Sequence, residues 1–176
     1  MDELIDDKVL AAFADAQLRG RLTDPDAVRR YVLGGKGLLT LVSTRTGARF
    51  TYKLGRPRDA DERDARVYVR VLTGPENTAD YEWLGTWRTH ATTWRGRTYA
   101  AGYRHGRDTR IREDAPSART AQWFLARVLA GGEALASCLR QCEVWHEGRC
   151  GACGRTLTVP ESVEHGIGPI CAERGA

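Results

Sequence analysis

The chain has 176 residues, 41% hydrophobic and 28% charged, with 27 Lys and Arg against 23 Asp and Glu and a net charge of +4. That length carries one core of ordinary size plus a small appendage. The balance excludes a disordered chain, and no 18-residue apolar run is present to span a membrane as a helix. The opening MDELIDDKVL is acidic and lacks the basic and apolar regions of a secretory signal. Five cysteines, an odd number, fit the reducing cytoplasm of a bacterial host cell better than a disulfide framework. Arg supplies nearly all the positive charge, since Lys8, Lys36 and Lys53 are the only lysines. Arg suits phosphate forks, but a GC-rich genome raises it together with Ala and Gly, so Arg content alone decides nothing.

In chain order, Ile5, Val9, Ala12, Phe13 and Ala16 fall at helical spacing and predict a helix over about residues 3–18. A second helix follows Asp24, a good N-cap, with Pro25 at its first position and Gly34-Gly35 as its stop. The pair reads better as packing helices than as a helix-turn-helix, because the second is short and offers only Arg29 and Arg30 as contacts. From Leu38 the period becomes two. Leu38–Thr44 and Arg49–Leu54 predict a hairpin around Thr46-Gly47, and Val67–Leu72 and Tyr81–Arg88 predict a second strand pair. Another strand is expected within Thr93–Tyr103. The sum is an antiparallel sheet of four or five strands with flanking helices.

The segment 87–112 concentrates charge and rings. Arg88, Arg95, Arg97, Arg104, Arg107, Arg110 and Arg112 are opposed only by Asp108, and Trp87, Trp94, Tyr99 and Tyr103 are interleaved with them. Arginines on phosphate and rings on bases are how single strands are gripped. Strand alternation gives the same pattern when the rings face inward and the arginines form the wet face. A helix then begins near Pro116, with Ala121, Phe124, Leu125, Val128 and Leu129 on one stripe. Gly131-Gly132 breaks it, and Leu135, Cys138, Leu139 and Cys142 continue a helical stripe, which makes both cysteines core thiols.

The C-terminal run HEGRCGACGRTLTVPESVEHGIGPIC carries metal-ligand chemistry. Cys150-Gly-Ala-Cys153 has the spacing of a zinc knuckle, with Gly151 and Gly154 expected to supply positive φ. A redox pair would need a β/α alternation that this region lacks. Thr158 and Pro160 predict a short helix start, Gly166 its end, and Gly168-Pro169 a turn that brings Cys171 back. The predicted Zn2+ ligands are His146, Cys150, Cys153 and Cys171, with Cys142, Cys138 and His165 as competitors for the fourth place. The domain reading is an α+β domain over residues 1–140 and a treble-clef-like or ribbon-like zinc module over 141–176, packed together because no Pro/Gly/Ser linker separates them.

The string CGACGRTLTVPESVEHGIGPIC resembles the zinc-finger module labelled DUF6011. Cys150, Cys153 and Cys171 fall on its cysteines, and Gly154, Arg155, Leu157, Pro160, Gly166, Gly168 and Pro169 on its framework. The resemblance covers about the last thirty residues. It implies a zinc-binding fold in the phage and actinobacterial setting where such modules occur, sometimes appended to nucleic-acid enzymes.

Signatures of catalysis are missing from the sequence. Gly34-Gly35-Lys36-Gly37 is too short for a phosphate loop, and there is no G-x-S-x-G, no H-E-x-x-H and no deaminase pattern. The expectation is a non-enzymatic, phage-related zinc protein that binds nucleic acid through the arginines of 87–112 together with Arg155. The rival is an inhibitor or adaptor that binds a host or phage protein, acting on host machinery or host defence, with Trp83, Trp87 and Trp94 as interface anchors.

Overall fold

The computed structural model describes residues 20–61, 63–76 and 78–175, so the helix expected over 3–18 lies outside the described residues. After a two-residue strand β1 (Arg21–Leu22), helix α1 runs Pro25–Leu33. Asp24 caps it as expected: its carboxylate accepts the Ala27 N–H at 2.9 Å, satisfying one of the free donors of the first turn. Val28, Tyr31 and Val32 form its buried face.

Strands β2 (Leu38–Ser43), β3 (Arg49–Gly55), β4 (Arg66–Leu72) and β5 (Tyr81–Arg88) form an antiparallel meander. Period-two alternation sets which face is buried. In β4, Val67, Val69 and Val71 are buried while Arg70 is exposed. The stretch 93–103, expected as one strand, is divided. β6 (Thr92–Trp94) and β7 (Arg97–Tyr99) make a separate hairpin, and β8 (Gly102–His105) then pairs with β5. Helix α2 (Pro116–Ala130) lays Ala118, Ala121, Phe124, Leu125 and Val128 into the core that the sheet and α1 share. At about 1.5–3 kcal/mol for each fully buried large aliphatic or aromatic side chain, this face holds the helix to the sheet. Gly131 ends α2, and α3 (Gly132–Leu139) follows.

The chain then returns to the sheet. Strand β9 (Cys142–His146) inserts between β1 and β2, giving a seven-stranded sheet in the order β1-β9-β2-β3-β4-β5-β8. The expected four or five strands become seven because β1 and β9 are strands only by virtue of each other and of β2. Cys142 opens this strand and does not extend the preceding helical stripe. Cys142, Val144 and His146 alternate inward, and backbone pairing on both sides outweighs the local helical spacing. The expected boundary after residue 140 therefore cuts through the main sheet, and the C-terminal module proper begins after His146. It contains the short helices α4 (Pro160–His165) and α5 (Pro169–Glu173). No helix among the described residues is long and apolar enough to cross a membrane.

Candidate metal centre and basic surface

Beyond His146 the chain makes a tight hairpin. Leu157 N–H donates to Gly148 C=O at 2.7 Å, Cys150 N–H to Arg155 C=O at 2.8 Å and Gly154 N–H to Cys150 C=O at 2.8 Å. This ladder forms the knuckle that carries Cys150 and Cys153. Helix α4 starts after Val159, whose side chain makes no cap bond, so Thr158 is not the N-cap. It ends as expected at Gly166, in the left-handed region at φ 69°. Gly168 then leads into α5, which presents Cys171. The thiols of Cys150, Cys153 and Cys171 lie within 4.8 Å of one another.

Three sulfurs at about 2.3 Å from a tetrahedral ion such as Zn2+ would stand about 3.8 Å apart, a spacing with which thiols this close together are compatible. The electrostatics agree. Burial alone would raise the Cys150 thiol, but the backbone N–H groups of Gly168, Cys153 and Ala152 hold it down to about 7. Cys171 is pushed up to about 11 by burial and by the neighbouring thiols of Cys153 and Cys150. The Cys150 sulfur is ready to ionise while Cys171 resists the added negative charge, a conflict that a divalent cation would resolve. Apolar packing in the module is slight: Cys150, Leu157 and Ile167, flanked by Ala152, Val163 and Cys171. A core that small needs a staple.

The fourth predicted ligand is corrected. His146 is buried, and both ring nitrogens hold backbone partners: Gly148 N–H donates to Nδ1 at 3.0 Å, and Nε2 faces the Val163 carbonyl at 2.6 Å. A carbonyl only accepts and an amide N–H only donates, so the imidazole is neutral with its proton on Nε2. Burial keeps its pKa below the usual value, partly offset by the bond to Val163. His146 thus ties β9 to α4 and does not join the thiols. Among the competitors, Cys138 and Cys142 lie 3.8 Å apart in the main core, with each other and not with the knuckle, and His165 is exposed at the end of α4. Among the described residues the group that could hold a metal ion is Cys150, Cys153 and Cys171.

Sequence reasoning missed Tyr31, the residue that docks the module. Its hydroxyl accepts the Leu38 N–H at 2.9 Å and donates to the Leu38 carbonyl at 3.0 Å, and its ring lies 5.4 Å from that of His146. A Cβ on Gly151 would meet the Tyr31 carbonyl oxygen and stand 2.7 Å from its Cδ2, and one on Gly166 would stand 2.6 Å from the same carbon. Gly151 is therefore glycine for close approach, not for the positive φ expected of it; Gly154, at φ 77°, does have that conformation. Lys36 N–H donates to the Gly151 carbonyl at 2.8 Å and completes the contact between α1 and the knuckle.

The arginines of 87–112 divide into groups. Arg95, Arg97, Arg104 and Arg107 are exposed, with no ion pair among the described residues. Arg110 reaches Glu82 at 3.7 Å, and Arg112 holds Asp114 through two bonds of 2.7 and 2.9 Å, so both are partly neutralised. Arg88 lies 4.6 Å over the Tyr99 ring, and Arg95 lies 4.5 Å over Trp94. Arg155 is exposed on the knuckle hairpin. The predicted interface tryptophans also separate. Trp87 is fully buried in the main core and is no surface anchor, because its strand position faces inward. Trp83 is half-buried, and Trp94 is 61% exposed.

The β6–β7 hairpin closes through Arg95 and Gly96, both at positive φ (48° and 72°), the sign pattern of a type I′ turn. Gly fits this conformation. A non-glycine residue there costs about 1–3 kcal/mol, and Asn or Gly would fit the first position better than Arg. No curated protein and no solved structure matches the chain. Residues 145–174 match the model of DUF6011, a family of unknown function.

Proposed function

We propose that this is a non-enzymatic nucleic-acid-binding protein of the phage-related kind, in which Zn2+ on Cys150, Cys153 and Cys171 holds the C-terminal module together. The metal role is structural: an all-thiolate set joins the knuckle to α5 where apolar packing is slight, and a reducing cytoplasm keeps those thiols free to bind. The observation that carries the nucleic-acid reading is Arg95. It occupies a backbone position that disfavours it, at the tip of an exposed hairpin, with its guanidinium laid on Trp94, and Arg97, Arg104 and Arg107 of the same chain segment are exposed as well. Strain retained at an exposed charged tip marks a residue kept for contact, not for folding.

The test is binding of labelled oligonucleotides to the zinc-loaded protein across a salt series. Four or five arginines on a single strand give a slope of about −3, so affinity falls about 50- to 130-fold between 50 and 200 mM salt. Arg95→Asn removes the charge and suits the turn, so it should leave the thermal midpoint unchanged or raised while weakening binding. A variant that binds as well as wild type, or a flat salt dependence, refutes the reading. The second reading, a protein partner, draws on Val159 and Ile170, two large apolar side chains exposed on the metal module. It predicts binding to a protein surface that is insensitive to salt and to Arg95→Asn.

A further inference from the structure

Beside the hairpin lies a cleft of about 480 Å³, lined by Trp94 and Tyr99, by Asp61, Arg63, Asp64 and Arg66, and by Arg88. Its volume falls within the roughly 300–1,000 Å³ of small-ligand sites. We propose that this cleft takes a single unpaired nucleotide, so that the protein recognises single-stranded nucleic acid and not duplex. The proposal deepens the nucleic-acid reading above and rests on it.

The chemistry of the walls supports it. Base pairing and stacking in a duplex hide the π faces of the bases, and only an unpaired base can lie against a side-chain ring. Trp94 lines the cleft, is largely exposed and is backed by the Arg95 guanidinium, while Tyr99 is braced by Arg88. Each ring thus has a guanidinium contact that restricts it before any ligand arrives, which lowers the ordering cost of binding. Arg66 is engaged with Asp64 through bonds of 2.9 and 2.6 Å, so its charge is largely satisfied within the protein. Arg63 is exposed and Arg88 half-buried, with no ion pair to either among the described residues, and they remain to meet the phosphate beside the stacked base.

The experiment uses the zinc-loaded full chain and three labelled DNA probes of equal length: a single strand of mixed sequence, its duplex, and a strand with a run of abasic sites. All three carry phosphate, but only the first offers free base faces. The mixed single strand should bind more tightly than the abasic strand by about five- to 150-fold, the range that one base–aromatic stack carries. It should also outcompete the duplex. Trp94→Ala should erase that preference, Trp94→Phe should keep most of it, and Arg104→Ala should weaken all three probes together. Trp94 is exposed, so a thermal melt matching wild type shows that the substitution leaves the fold intact. Equal binding of the three probes to wild type, or an equal loss on all three with Trp94→Ala, overturns the cleft while leaving the basic surface standing. Failure of every probe to bind at low salt overturns both readings.

Discussion

Gly151→Ala tests whether the metal module is fastened to the main domain through Tyr31. A Cβ on Gly151 would sit against the Tyr31 carbonyl oxygen and 2.7 Å from Tyr31 Cδ2. Ordinary contact needs about 3.4 Å or more, so the knuckle must move away from α1 by several tenths of an ångström. Tyr31 cannot yield: it is fully buried, and its hydroxyl bonds both the N–H and the C=O of Leu38. Overpacking of this kind costs about 1–3 kcal/mol. The displacement also stretches the 2.8 Å bond from Lys36 N–H to the Gly151 carbonyl, worth about 1 kcal/mol more. A loss of about 2–4 kcal/mol lowers the unfolding midpoint of a chain this long by about 4–16 °C. The assay is thermal and urea unfolding of the zinc-loaded protein, with Gly55→Ala as control, since a Cβ on Gly55 meets nothing within 4 Å. A Gly151→Ala protein as stable as wild type would mean that the knuckle and α1 are not in this contact, and would refute the docking argument.

Two further substitutions probe the module itself. Cys171→Ser removes one of the three thiols, so metal analysis should show loss of tight one-to-one zinc, while far-UV circular dichroism retains the sheet, whose core is separate from that of the module; undiminished zinc would refute the ligand assignment. His146→Gln should keep zinc at one per chain, because His146 bonds backbone and not metal; its loss would return His146 to the coordination shell. His146 also predicts a pH effect. Its folded pKa is depressed below the unfolded value of about 6.5, so the folded state binds fewer protons there. Its contribution is fully present above pH 6.5 and is lost as pH falls through the unfolded value towards the folded one. Wild type should lose stability over that window relative to His146→Gln in urea titrations at stepped pH, and parallel profiles would sink the assignment.

Features that depend on a few neighbouring residues were legible in the chain itself. Asp24 before Pro25, the alternation of Val67, Val69 and Val71, the stripe along α2, the Gly166 helix end and the two-residue gap between Cys150 and Cys153 each express a local period or a local backbone need. The motif 150–171 foretold a three-cysteine cluster because its turns are short and self-contained. Features set by contacts distant in sequence were decided only by the tertiary structure. β9 is a strand because β1 and β2 flank it, so the helical spacing that ends at Cys142 was a false lead. His146 has suitable ligand chemistry and spacing, but the Val163 and Gly148 backbone reaches its nitrogens first. Trp87 and Trp94 lie in the same arginine-rich segment, yet one is buried in the main core and the other stands on a separate hairpin. Gly151 is glycine because Tyr31, far away in the chain, presses against it. Periodicity tells which side of an element is apolar; which partner covers that side, and which donors are already satisfied there, depends on chain segments that meet only when the whole molecule has folded.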